Sequence, residues 1–275
     1  MIFNLLIDFF IFIFGLCIGS FLNCVIYRLE QKKSLKGRSF CPYCKHTLSW
    51  SDLVPVFSLL FLRGKCRYCK KKISVQYPLV EIATGVLFVL ILSFGDVGFP
   101  AGSPTSVGSL LNIAFLFYVA SVLIIVFVYD LKHYLIPDKI LFPAIGVAFI
   151  YRLFENLNIS NWILISNLAP FLNYFWAAAI ASGFFLAIFL ISGGRWMGFG
   201  DVKLAILMGI LLGFPNILVG LFLAFFFGAI IGVILMVLNK KGLKSEIPFG
   251  PFLIAGTFIA MFWSQAIIQW YLKLF

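Results

Sequence analysis

Two aspartates stand where a charge is costly. Asp130 closes the apolar run 110–128, and Asp201 lies between the apolar segments 171–191 and 202–214. A carboxylate at the centre of a transmembrane helix costs about 2.5–3.5 kcal/mol on insertion scales, so residues of this kind need a reason. Asp201 sits in Gly198-Phe199-Gly200-Asp201-Val202-Lys203. Glycines at 198 and 200 let the backbone turn sharply and come close to a substrate. Two carboxylates sharing one proton can activate a water between them. One accepts the water's proton while the other, protonated, polarises an amide carbonyl. Asp130 and Asp201 are therefore the candidate pair for cleavage of a peptide bond. The plain alternative is two unrelated helix-end carboxylates paired with Lys132 and Lys203.

A second constellation is Cys41-Pro42-Tyr43-Cys44 followed by Cys66-Arg67-Tyr68-Cys69. Two CxxC knuckles suit a tetrahedral zinc site, with Cys41, Cys44, Cys66 and Cys69 as its ligands. Two disulfides are the rival; a reducing cytoplasmic loop favours the metal. Cys17 and Cys24 lie in the first apolar segment and are expected to be small buried hydrophobes. His133 is expected to be a solvated turn residue. Asp138, after Pro137, is expected to cap the next helix. Glu81 is expected to be an interfacial acid near a helix N-terminus.

The elements that must position these groups follow from composition. The chain has 275 residues, 63% of them hydrophobic and 11% charged, with mean hydropathy +1.08. Soluble domains run at about 45–50% apolar and about 25% charged. An all-α, polytopic membrane bundle is implied, with the lipid bilayer as its partner. Eight spans are expected, at 2–27, 78–94, 110–129, 140–154, 171–191, 202–214, 217–238 and 249–272. No Lys or Arg precedes Arg28, so the first helix is read as retained, with its N-terminus outside.

The loops at 95–109 and 155–170 are expected outside, and a basic loop at 239–247 inside. Nineteen of the 21 Lys and Arg then face one side; Arg152 and Lys273 are the other two. The asymmetry puts the basic side in the cytoplasm. The segment 202–214 is short, about 20 Å as a helix. Were it re-entrant, Lys240, Lys241 and Lys244 would fall outside, so it is expected to cross. Three regions result: a first helix at 1–27, a cytoplasmic zinc-ribbon-like loop at 28–76, and a membrane peptidase domain at 77–275. The mostly apolar run 56–62 within the loop rests on the membrane or packs on the helices. No internal repeat and no nucleic-acid motif is evident, and no nucleic-acid partner is expected despite the net charge of +11.

In order along the chain, these motifs resemble the type IV prepilin peptidases, or leader peptidases, among the membrane GxGD aspartic proteases. The resemblance is carried by Gly19-Ser20-Phe21-Leu22-Asn23, Val25-Ile26-Tyr27-Arg28-Leu29, the two cysteine knuckles, Tyr77-Pro78-Leu79-Val80-Glu81, Asp130 through Ile136-Pro137-Asp138, and Gly198 through Lys203. It implies an endopeptidase of the bacterial cytoplasmic (inner) membrane. Such an enzyme cuts the leaders of prepilins and pseudopilins at the cytoplasmic face. Bifunctional members then methylate the new N-terminus from S-adenosylmethionine. By this resemblance Asp130 and Asp201 are catalytic. Gly198, Gly200, Lys203 and Asp138 support the motif, and the cysteines hold metal in a loop associated with methylation. Asp52 and Glu81 are the residues tied to that second activity. Asp52 is followed by Leu53 where many relatives have asparagine. The rival readings are a peptidase without methyltransferase activity, a proton-coupled transporter, and a zinc-loop scaffold with no enzymatic role.

Overall fold

The computed structural model of the chain describes residues 2–94, 107–156, 168–238 and 247–274. The loops expected at 95–109, 155–170 and 239–247, with Lys240, Lys241 and Lys244, lie largely outside these residues. Long apolar runs in lipid must satisfy their own backbone, and a helix does so within one segment. Among the described residues the α-helices are α1 (Ile2–Glu30), α2 (Phe57–Phe61), α3 (Gln76–Phe94), α4 (Val107–His133), α5 (Asp138–Asn156), α6 (Leu168–Ser192), α7 (Phe199–Leu212), α8 (Asn216–Val237) and α9 (Gly250–Leu272). All eight expected spans are helices. Six of them, α1, α3, α4, α6, α8 and α9, are long and apolar enough to cross a membrane. Helix α5 carries Asp138, Lys139, Arg152 and Glu155, and α7 has only 14 residues.

The chain forms two compact units. The first is Met1–Phe94 with Leu116–Ile125; the second is Gly95–Phe115 with Val126–Phe275. In the first unit α1 packs along α3. Gly15 and Gly19 are four apart and allow close approach. A Cβ on Gly15 would lie 2.6 Å from the Gly85 Cα, and one on Gly19 would lie 2.6 Å from the Glu81 Cα. Small residues at this spacing are how membrane helices bring their backbones together. Phe88 and Phe117 stack at 4.0 Å beside them. At the end of α1, Arg28 is buried and donates to the carbonyls of Ser34, Lys36, Gly37 and Arg38 at 2.7–3.3 Å. Cys17 is exposed and Cys24 only half-buried, against the expectation of burial. Glycines line the face of α1 that meets α3, which leaves Cys17 on the outward face.

In the second unit the short helix α7 is the most enclosed element. Leu204, Ala205, Leu207 and Met208 have no exposed surface. Helices α5, α6, α8 and α9 pack against it. Gly209 meets the backbone of Ala178 on α6, where no side chain would fit. The C-terminal carbonyls of α7 lack helical partners. Arg152 supplies them: its Nε donates to Ile210 O at 3.2 Å and its Nη2 to Leu211 O at 2.7 Å. Its guanidinium lies 4.1 Å from the Tyr174 ring centroid and pairs with Glu155. Asn173 then holds the next turn, donating to Phe214 O and accepting from Phe214 N, both at 3.0 Å. Arg152, counted from sequence among the basic residues of the outer side, is buried inside the unit at 1% exposure.

Arg152→Ala should therefore lower the melting temperature of the purified protein in detergent. Removing one member of a buried, hydrogen-bonded ion pair costs on the order of 3 kcal/mol. Arg152→Lys should recover only part, because an ammonium cannot reproduce the planar fork that reaches two carbonyls. An unchanged melt for Arg152→Ala would mean that the α7 carbonyls are capped by another group.

Candidate active site and metal centre

Asp130 lies in the last turn of α4. The helix stops because Tyr134 takes a left-handed conformation (φ 57°), its N–H donating to Asp130 O at 2.9 Å, and because Pro137 follows. His133 ends the helix exposed, 4.6 Å from the Tyr129 ring, as a solvated residue should. Asp201 lies in the first turn of α7, with Gly198 as N-cap. Its carboxylate accepts the Gly198 N–H, the reciprocal half of a capping box. The helix dipole favours a negative group there. Asp130 and Asp201 are 4% and 7% exposed, and Asp201 lies within the field of the Asp130 charge. The structure thus places two buried carboxylates, at the ends of two helices, within each other's electrostatic field.

The glycines act differently from the expectation. Gly198 has an ordinary extended conformation (φ −75°, ψ 148°), and Gly200 is helical. The positive-φ glycines of this stretch are Gly193 and Gly194 (φ 57° and 75°), upstream of the motif. Gly200 serves close packing: a Cβ there would lie 3.1 Å from the Ile136 Cβ. Ile136, from the turn after Asp130, therefore seats directly on the turn that carries Asp201.

Asp138 is the first residue of α5 rather than its cap. Its carboxylate takes Lys203 Nζ at 2.7 Å, and Lys203 also lies over the rings of Phe142 and Phe199 at 5.3 and 5.1 Å. The pair ties the α5 start to α7, two residues beyond Asp201.

Sequence reading missed Gly250. It opens α9 within Pro248-Phe249-Gly250-Pro251, and its N–H donates to the Asp130 carboxylate. A Cβ on Gly250 would lie 2.5 Å from Asp130 Oδ2 and 3.2 Å from its Cγ. The Gly-Pro pair at the head of the last apolar run was the available signal. Only the tertiary approach shows what that glycine touches.

In the first unit the four cysteines converge, with their Sγ atoms all within 4.8 Å of one another. A tetrahedral metal with bonds of about 2.3 Å sets its sulfurs about 3.8 Å apart. Cys41 and Cys69 Sγ are 3.9 Å apart, and all four thiols are free, so the set fits a metal and not two disulfides. The knuckles are built alike. Cys41 N bonds His46 O and Cys66 N bonds Lys71 O, both at 2.9 Å. Lys45 and Lys70 follow the second cysteines with φ 57° and 56°. Tyr43 packs under Lys71 at 4.8 Å, and Tyr68 packs on His46 at 3.7 Å. This is a local two-fold repeat, Cys-x-Tyr-Cys-Lys, which the sequence reading did not recognise.

Burial pushes the Cys66 thiol up, but the amides of Cys69 and Tyr68 and the neighbouring thiols outweigh it and bring it to about 7. The His46 amide pulls Cys44 down, yet burial and the thiols of Cys41 and Cys69 leave it at about 11. Cys44 and Cys66 thus hold their protons with unequal strength, and a cation bound by the thiolates would displace those protons.

Asp52 and Glu81 both hold the segment between the knuckles. Asp52 accepts the Ser49 hydroxyl at 2.7 Å and the Ser49 N–H at 3.1 Å, and pairs with Arg67 Nε at 2.8 Å. Burial raises its carboxyl, and these partners more than offset that and hold it below the usual carboxylate range. Glu81 is buried in the second turn of α3, not interfacial, and accepts the Val56 N–H at 2.8 Å. Val56 has φ 59°, a left-handed conformation rare for a β-branched residue. The cysteine cluster, with Asp52 and Glu81, stands in one unit and the carboxylate pair in the other.

Comparison with known proteins also gives two regions, one holding the cysteines and one the two aspartates, with residues 116–125 of the first unit falling in the second. Residues 13–94 match the bacterial peptidase A24 N-terminal domain, and residues 116–233 match the type IV leader peptidase family. A prepilin leader peptidase/N-methyltransferase of Bacillus subtilis (strain 168) is 32% identical over 266 residues, 96% of this chain and 97% of the relative. The protein of that name from Aeromonas salmonicida (strain A449) is 30% identical over 289 residues, covering 96% and 93%. One from Legionella pneumophila is 30% identical over 285 residues, covering 94% and 92%. No solved structure matches the chain.

Proposed function

The chain belongs to the type IV leader peptidase family, and from that premise we propose that Asp130 and Asp201 are the catalytic pair with which it removes prepilin leaders. The chain is an integral-membrane endopeptidase and N-methyltransferase of prepilins. The observation that carries the assignment of the pair is two buried carboxylates, at the ends of α4 and α7, within each other's electrostatic field.

In the proposed reaction the pair holds one proton. The ionised carboxylate takes a proton from water as the water oxygen attacks the scissile carbonyl carbon. The protonated partner gives its proton to the carbonyl oxygen. The C–N bond then breaks as the leaving nitrogen takes the proton that came from water, and one hydroxyl of the tetrahedral diol returns its proton to the partner carboxylate, which leaves the product carboxyl and restores the one-proton pair. Gly198 and Gly250 hold the two carboxylates from the backbone. Lys203 and Asp138 act as a strut between α5 and α7. Pseudopilins, whose leaders would present the same bond, belong to the same substrate class. The new N-terminal amine is the methyl acceptor, and S-adenosylmethionine supplies the methyl group.

We assign one zinc to Cys41, Cys44, Cys66 and Cys69. Four thiolates fill the coordination of a structural zinc and leave no open position for water. Its work is to fold the 28–76 loop, in which Asp52 and Glu81 fix the segment between the knuckles; that segment is the one we associate with methylation. The basic-residue asymmetry supports placing the loop and the carboxylate pair on the cytoplasmic side of the bacterial inner membrane.

Asp130→Asn and Asp201→Asn should each reduce prepilin cleavage by at least about 100-fold, the range of a lost acid–base group, while the protein still inserts. A processing gel beside membrane expression reads this; near-normal processing by either variant removes that residue from the pair.

Gly250→Ala should also slow cleavage, because the added methyl must displace the Asp130 carboxylate. Misplacement by about 1 Å costs about 100-fold. Methylation of an already cleaved pilin should stay at the wild-type level in the same preparation. Equal loss of both activities would point to general misfolding instead.

Cys41→Ser with Cys44→Ser should release one zinc per chain and lower methylation more than cleavage. Elemental analysis with paired assays tests it. Freshly purified wild type without zinc would refute the metal assignment, and lost cleavage with intact methylation would refute the division of labour.

A further inference from the structure

Between the two knuckles the chain forms a 3-10 turn (Trp50–Leu53) and the short helix α2. Their apolar residues recur at three- and four-residue steps: Trp50, Leu53, Val54, Phe57, Leu60 and Phe61. Such a row should face a core. Here all six are exposed, with Trp50 at 82% and Phe61 at 85%. No residue of either short helix is buried. An exposed row of this size marks an interaction surface.

Two observations say what covers it. The first is position. Val56, between the two short helices, is hydrogen-bonded to Glu81, and Glu81 lies within the membrane-crossing helix α3. Glu81 is five residues after Gln76, about 7.5 Å along the helix axis. The row is therefore tethered at the level where α3 enters the bilayer, not held out in water. The second is charge. Residues 28–76 carry 12 Lys and Arg against two acids, Glu30 and Asp52. Of the 12 only Arg28 is buried; the basic residues after the row, Arg63, Lys65, Arg67, Lys70, Lys71 and Lys72, are all exposed. Aromatic and aliphatic residues beside a cluster of Lys and Arg are the chemistry of a segment lying in the headgroup region of an anionic leaflet.

We propose that the apolar row 50–61 lies in the headgroup and upper acyl region of an anionic lipid leaflet, with the basic residues of the knuckles on the lipid phosphates. The loop is then attached at three points: the end of α1, the start of α3 and the lipid-embedded row. The left-handed Val56 is the bend that lets both short helices present their apolar side chains outward while its N–H stays on Glu81. This inference uses the membrane placement of α3 and stands apart from the peptidase reading.

The test is photocrosslinking of the full chain in nanodiscs. The photoreactive amino acid benzoylphenylalanine replaces Phe57 or Phe61, both exposed aromatics, so the packing is undisturbed; gel filtration checks each preparation. The nanodiscs contain phosphatidylcholine with or without phosphatidylglycerol. Illumination should give lipid adducts at both positions, in higher yield with phosphatidylglycerol, and the excess should disappear in high salt. A second measurement compares wild type with Trp50→Phe in brominated lipid, where the difference fluorescence should be quenched. Crosslinks to a second copy of the chain or to an added prepilin in place of lipid would overturn the proposal, as would no adduct with unquenched Trp50. Equal yields in neutral and anionic discs would overturn its electrostatic half.

Discussion

The second unit depends on a helix too short for its place. Spanning the apolar core takes about 20 residues, and α7 has 14. Both of its ends therefore need partners from the rest of the unit. Arg152 and Asn173 satisfy the carbonyls and the turn at its C-terminus. At its N-terminus Asp201 accepts the Gly198 amide, and Ile136 packs on Gly200. Its sides are enclosed by helices that come as close as Gly209 against Ala178. A helix fixed this way cannot slide along its axis. That immobility is what a carboxylate in its first turn requires if it is to meet a second one reproducibly.

The first unit solves a different problem. Its loop has too little buried apolar surface to fold alone: Cys41 and Cys66 are its only buried hydrophobic residues. Small units of this kind need a metal or another staple. The four-cysteine cluster has the geometry for one, Arg28 wrapped by the carbonyls of residues 34–38 supplies a second, and Glu81 on Val56 a third. All three lie near the ends of α1 and α3, and those helices are fixed to each other through Gly15 and Gly19.

What could be read from the sequence had a local signal. The aspartates stood out because lipid-facing runs exclude charge, and the cysteines because their spacing is that of a metal knuckle. The helices followed from apolar run lengths. Other features exist only in three dimensions. Gly250 looks like an ordinary helix start until its distance to Asp130 is known. Arg152 fell inside the expected span 140–154 and topology counting gave it only a side; that a guanidinium there is buried because carbonyls and a carboxylate receive it is visible only in the structure. Gly198 and Gly200 were read as turn-makers from residue type alone. The turn is at Gly193 and Gly194, and Gly200 is small because Ile136 needs its space. The likeness of the two knuckles was missed because only the cysteines, the tyrosines and one lysine repeat, while the rest of the similarity is carried by backbone hydrogen bonds.

The partners of the carboxylate pair bear on its chemistry. Asp130 and Asp201 each accept from a backbone amide, that of Gly250 and that of Gly198. An amide fixes the orientation of a carboxylate without adding a charge. Lys203, the cation two residues after Asp201, is engaged by Asp138 instead. Had its ammonium reached Asp201, the carboxylate would be held ionised by a fixed counter-charge, and no proton could be passed between the acids. Two carboxylates oriented by neutral donors keep that exchange open, because a shared proton is then the cheapest way to relieve their repulsion. The Lys203–Asp138 pair thus serves the site twice. It braces the helix that carries Asp201 against the start of α5, and it engages the cation that follows Asp201 in the chain.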